Sequence, residues 1–135
     1  MISAKELYPE AQDGDYFSTE CEYQPILNEI GTIVLQKDDE DYQGDSRVLY
    51  RDGDRWGYLQ FGWGSCSGCD ALQGCESYEE IDKLIVFLVG TVRWFESAVE
   101  ALAFFKEHDW AGDYSNSDEN QAVFVADTIA LLDKT

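Results

Sequence analysis

Four cysteines are the first residues in this chain whose type and spacing can support chemistry. Cys66, Cys69 and Cys75 lie within ten residues as C-x2-C-x5-C, and Cys21 stands far upstream. Zinc takes thiolate or imidazole ligands in a tetrahedron, and a C-x2-C knuckle supplies two of them from one turn. Cys75 then offers a third ligand, and Cys21 or His108 must be brought in by folding as the fourth. Gly64, Ser65, Ser67 and Gly68 suit a tight turn around an ion. A second C-x2-C pair is missing. The same Cys66 and Cys69 precede an expected helix, whose N-terminal dipole lowers a thiol pKa and favours redox chemistry. Against this, the chain has no βαβ start, and Asp70, Glu76, Glu79 and Glu80 disfavour a thiolate nearby. The plain alternative is a tight loop of reduced, buried cysteines.

The acidic stretch from Asp38 to Asp45 (DDEDYQGD) resembles part of a calcium loop. Asp39, Asp41 and Gln43 fall at the first three ligand positions, with Gly44 at the sixth. The twelfth is Tyr50 rather than the bidentate Glu such a loop needs, so a solvated turn is the expectation. His108 is the single histidine, at an expected helix end that favours a cation, and one His alone supports no Ser-His-Asp or Cys-His arrangement. Neither a P-loop nor a dinucleotide fingerprint is present. No residue pattern argues for an enzyme.

Charge is the strongest global feature. There are 28 acids and 9 bases, a formal net charge of −19. Residues 1–60 hold 14 acids and 5 bases, and residues 61–135 hold 14 and 4, so the excess is not confined to a tail. Such a chain repels nucleic acid and anionic membranes and favours basic protein surfaces. At 135 residues it has the size of one domain, taken here as 1–135, and it needs no metal or disulfide to bury a core. Seven Phe, eight Tyr and four Trp supply that core. No run of 18 apolar residues spans a membrane, and Met1 to Gln12 has no signal-peptide h-region. A cytoplasmic protein with reduced thiols is expected.

The elements that must position these residues read as α+β. A short helix or helical turn is expected in Ile2 to Ala11, and a loop or edge strand in Asp13 to Gln24. Residues 26–63 are expected to form a three-stranded antiparallel β-meander. Its strands lie around Ile30–Leu35, at Arg47–Arg51 with Val48 and Tyr50 on one face, and at Arg55–Trp63. Asp52-Gly53 is a strong hairpin signal between the last two. After the loop from Gly62 to Cys75 the apolar period changes to helical. Ser77 with Glu80 has capping-box spacing, and Ile81, Leu84, Ile85, Leu88 and Val92 predict a helix to about Phe95. Ser97 with Glu100 repeats the spacing, either starting a new helix or lying within a longer one. After a polar loop around Gly112, Asp118 is the expected cap of a last helix, with Ala122, Val125, Ala126, Ile129 and Leu132 as its apolar stripe. Strands first and helices after favour helices packed on a meander over a doubly wound sheet.

Several runs carry a likeness: Tyr42-Gln43-Gly44-Asp45-Ser46, Gly57-Tyr58-Leu59, and Gly62-Trp63-Gly64-Ser65-Cys66-Ser67-Gly68-Cys69-Asp70. They resemble a group of small uncharacterised proteins of bacteriophages and prophages. The likeness covers roughly residues 42–110, including Trp94-Phe95 and Asp109-Trp110, and its most distinctive piece is GSCSGCD. It implies a phage setting and carries over no functional residues.

Phage setting and acidity together point to an acidic protein-binding module. It would be an anti-defence inhibitor that mimics nucleic-acid charge and occupies a basic site on a host protein. A folded surface of roughly 7,000 Å² spreads the excess thinly, at one charge per roughly 370 Å². Duplex DNA about 20 Å across carries one per roughly 100 Å². Mimicry therefore requires the acids to cluster. Asp38, Asp39, Glu40, Asp41 and Asp45 are the first candidate patch, and Glu76, Glu79, Glu80 and Asp82 the second. No cofactor is expected on this reading. The alternative is a small zinc-stabilised structural or regulatory domain using Cys66, Cys69, Cys75 and Cys21.

Overall fold

The computed structural model describes residues 3–9, 11, 22–64 and 70–135. Helix α1 (Ala4–Leu7) and helix α2 (Gln24–Ile30) precede strands β1 (Thr32–Asp38), β2 (Gly44–Asp52) and β3 (Arg55–Trp63). Helix α3 (Tyr78–Thr91), strand β4 (Arg93–Phe95), helix α4 (Ala98–Glu107), a 3-10 turn (Trp110–Gly112) and helix α5 (Asp118–Asp133) follow. The class is α+β as expected, but the antiparallel sheet has four strands, in the order β1-β2-β3-β4.

Two expectations are corrected here. Residues from Ile26 were placed in the meander, yet Gln24–Ile30 is helical, with Pro25 in the first turn where its missing N–H costs nothing. The helix expected to run to about Phe95 stops at Thr91, and Val92 turns extended. Arg93, Trp94 and Phe95 then pair with Tyr58, Gly57 and Trp56. An aromatic pair suits a pleated surface better than a helix end. Gly57 makes the pairing possible: a Cβ there would lie 2.8 Å from the Trp94 ring.

Side-chain alternation across the sheet builds two cores. Val48, Tyr50, Leu59 and Phe61 join Ala4, Ile26, Leu27, Ile81, Ile85 and Leu88, so α1, α2 and α3 cover one face. Leu49, Trp56 and Phe95 join Ala101, Phe105, Phe124 and Leu132, so α4 and α5 cover the other. Ile33 packs on the first core and Val34 on the second, and a register shift between Ile33 and Leu35 places Leu35 on the second core as well. Gly53 closes the β2–β3 hairpin at φ +61°, the conformation that a two-residue turn with glycine first requires.

Both capping boxes are start signals. Ser77 accepts a hydrogen bond from the Glu80 N–H, and Ser97 from that of Glu100, so the second opens α4. The last helix is capped by Ser117 rather than Asp118, with the Asn120 N–H as donor. Its buried line is Gln121, Phe124, Thr128 and Leu132. Of the expected stripe, Leu132 is in the core, Val125 and Ile129 are half-buried, and Ala122 and Ala126 are exposed. The expected line missed by one helical position. Among the described residues no helix is long and apolar enough to cross a membrane.

Candidate functional site

The acidic turn is organised by Arg47, which sits on the α5-facing side of β2 in line with Leu49. Its side chain is fully withdrawn from solvent. Burying a guanidinium is tolerated only when its donors are met by acceptors. Here Nη1 donates to Asp39 Oδ1 at 2.9 Å, and Nη2 donates to Ser115 Oγ at 2.8 Å. Asp45 Oδ2 lies 3.7 Å from Nη2. Among the described residues Nε finds no acceptor.

Asp39 gathers more than Arg47. Its Oδ2 accepts from the Asp45 N–H at 2.9 Å, and its Oδ1 accepts from Asn120 Nδ2 at 2.8 Å. Burial opposes ionisation of this carboxyl. The hydrogen bonds from Asn120, Asp45 N–H and Arg47, with the Arg47 charge, outweigh it and hold the pKa below the usual value of 3.8. Asp45 in turn accepts from the Asn116 N–H at 2.8 Å. The network therefore ties the β1–β2 turn to residues 115–120, seventy positions later. Gly44 belongs to it sterically: a Cβ there would lie 2.5 Å from Asp39 Cβ.

This arrangement divides the first acidic patch. Asp39 and Asp45 are buried and spoken for, so the expectation of five solvated carboxylates is corrected for these two. Asp38, Glu40 and Asp41 remain exposed. They line a cleft of about 370 Å³ whose opposite wall holds Asn116, Ser117, Asn120 and a further exposed acid, Glu119. Lys37 is the cation of that cleft. Glu119 was missing from the expected set because only folding brings it to the turn.

The second patch behaves differently. Glu76, Glu79 and Glu80 are exposed at the start of α3 and do not line the cleft. Glu80 Oε2 accepts from the Glu76 N–H at 2.7 Å, Glu79 lies 3.7 Å from Lys83, and Asp82 accepts from the Ala4 N–H at 2.7 Å. Their main visible employment is holding the α3 terminus and α1.

Of the proposed metal ligands, Cys21, Cys66 and Cys69 lie outside the described residues. Cys75 is buried in the core beneath α3, and its Sγ donates to the Ala71 carbonyl at 3.2 Å. Among the described residues no group of three or more His, Cys, Asp or Glu side chains is arranged to hold a metal. His108, the other candidate for fourth ligand, pairs with Asp113 at 2.7 Å. Hydrogen bonds to Asp70 join the residues on either side of the cysteine segment. Asp70 is buried and accepts from the N–H groups of Gly64, Leu72 and Gln73 at 2.8, 3.0 and 3.0 Å. Tyr23 Oη donates to the same carboxylate at 3.0 Å. The final Asp of GSCSGCD is thus a clasp between Gly64 and the turn leading to α3.

Sequence reasoning missed Arg47. The available signal was period 2: a strand with Val48 and Tyr50 on one face puts Arg47 beside Leu49 on the other. Once helices cover both faces, that arginine must be buried and must find acids.

Comparison with protein-family models, with curated proteins and with solved structures finds no match to this chain.

Proposed function

We propose that this chain is a non-enzymatic protein-binding module whose cleft between the β1–β2 turn and the start of α5 seats a basic segment of a partner. In the phage setting suggested by the sequence likeness, the partner is a host nucleic-acid-binding protein. The carboxylates then stand in for phosphates. One observation carries this reading: Asp38, Glu40, Asp41 and Glu119, drawn from two distant segments, are exposed around one cleft. The Arg47–Asp39–Asn120 network beneath it supports the same conclusion. It removes loop-ordering cost from association, and preorganised charge gives speed and specificity to an encounter.

The test is capture of basic host nucleic-acid-binding proteins, followed by competition with DNA or RNA across a salt series. Binding should weaken as salt rises, and nucleic acid should displace the protein. Joint reversal of Asp38, Glu40 and Asp41 to Lys should weaken capture, and Glu119→Lys should add to it. The same reversal at Glu76, Glu79 and Glu80 is the control for general charge. Capture that ignores salt and the cleft substitutions, or that falls equally with the control, overturns the reading.

A further inference from the structure

A second cavity, of about 630 Å³, opens beside β3 and differs chemically from the acidic cleft. Its volume is that of a small organic ligand. Its walls include the rings of Tyr58 and Phe104, and its polar groups include Arg93 and His108.

The charged groups of this cavity are not equally satisfied. Two carboxylates line it, and both are engaged: Asp45 with Arg47 and the Asn116 N–H, and Asp113 with His108. Arg93 is exposed and, among the described residues, forms no ion pair with any acid. Arg51 and Arg55 likewise form no ion pair among the described residues, but neither lines this cavity. The Arg93 guanidinium lies 4.4 Å from the centre of the Phe104 ring and 5.7 Å from that of Phe95. Such stacking fixes the plane of the guanidinium and leaves its N–H fork free to take an oxyanion in two parallel bonds.

The sheet adds donors to the same cavity. Asp52 and Arg55 close the two-residue hairpin, so residues pair across β2 and β3 in alternation from there. The N–H groups of Trp56, Tyr58, Gln60 and Gly62 therefore face away from β2. Strand β4 meets the first two, and its pairing ends at Tyr58. Gln60 and Gly62 lie beyond that pairing and are among the residues that line the cavity.

We infer that this cavity binds a small planar organic anion, its carboxylate or phosphate held by Arg93 and the open β3 edge and its ring against the aromatic wall. This is independent of the proposed partner cleft, which shares no lining residue with it.

The purified protein is titrated with adenosine 5′-monophosphate, benzoate and inorganic phosphate, followed by calorimetry at low salt. One of the two organic anions should bind, identifying a phosphate ester or a carboxylate as the natural class, and inorganic phosphate should bind at least tenfold more weakly. Arg93→Gln should weaken binding at least tenfold with an unchanged melting curve, because Arg93 is on the surface. Arg93→Lys, which keeps charge without the fork, should fall between. Failure of both organic anions to bind, equal binding by Arg93→Gln, or phosphate binding as tightly as either organic anion overturns the inference.

Discussion

Arg47 Nη1 stands 2.9 Å from Asp39 Oδ1, and both side chains are withdrawn from solvent. This contact lies under the acidic turn, and on either side of it are the two cavities: Asp39 lines one and Asp45 the other. A buried pair of this kind adds little net stability over an apolar replacement, but removing one member leaves the other charged and unpaired. The acids of the turn therefore divide into those that build the fold and those that face solvent.

That division predicts unequal effects of substitution along four adjacent residues, Asp38 to Asp41. Asp39→Ala strands the Arg47 guanidinium and should cost about 3–5 kcal/mol. Asp39→Lys places a second cation against it and should leave little folded protein. Asp38, Glu40 and Asp41, each changed to Lys, should stay within about 0.5 kcal/mol of the parent. Urea titration followed by tryptophan fluorescence checks all four. Equal tolerance at Asp39 and Asp41 would show that the pair is not formed.

Acid should unfold the protein partly through the same group. The Asp39 carboxyl is held below its usual value of 3.8. The unfolded chain therefore binds its proton first as pH falls. The stability Asp39 contributes is full above about pH 3.8 and is lost as pH falls through its lower folded value. Asp39→Asn should flatten the acid limb of a stability–pH curve relative to the parent. An unchanged limb would remove Asp39 from the account.

At the alkaline end three tyrosines carry the prediction. Burial raises Tyr23, Tyr50 and Tyr58 well above the ordinary 10.0. Asp70 also raises Tyr23, against the Leu72 N–H that lowers it. Because each folded value lies above the unfolded one, the stability is full below about pH 10 and is lost as pH rises toward the folded values. Phenolate absorbance should show these three ionising only together with loss of near-ultraviolet circular dichroism. Ionisation of Tyr23, Tyr50 and Tyr58 near pH 10 in a protein that stays folded would contradict this.

The short fourth strand depends on one missing methyl group. A Cβ at position 57 would meet three Trp94 ring atoms at 2.8, 2.9 and 3.1 Å. That ring carries Arg55 on one side and packs near Tyr50. Gly57→Ala should lower stability by about 1–3 kcal/mol, the usual cost of overpacking a filled site. The accompanying sign is a changed Trp94 environment in near-ultraviolet circular dichroism. A neutral result would mean that β4 moves freely away from β3.

Much of the fold was legible because it depends on local rules. Period 2 in β2 and β3, the glycine at 53 and the two Ser-x-x-Glu boxes each act over a few residues, and each appears where the pattern places it. The failures fall where a long-range partner overrides the local signal. Arg93–Phe95 looked like the end of a helix until Gly57 opened a slot for Trp94. Gln24–Ile30 reads as strand or helix with equal ease over so short an apolar run.

Charge shows the same boundary. The sequence by itself determined that the protein is acidic, rich in aromatic residues and of the α+β class, because composition and periodicity are properties of a linear chain. Only the tertiary structure decided which acids face solvent. Asp39 and Asp45 differ from Asp38 and Asp41 in nothing a one-dimensional pattern records. They are buried because Arg47 is forced onto a covered sheet face and because Ser115 and Asn120 arrive there from some seventy residues away. The exposed Glu119 joins Asp38, Glu40 and Asp41 for the same reason: a buried charge selects its partners in space, and those left outside form the surface.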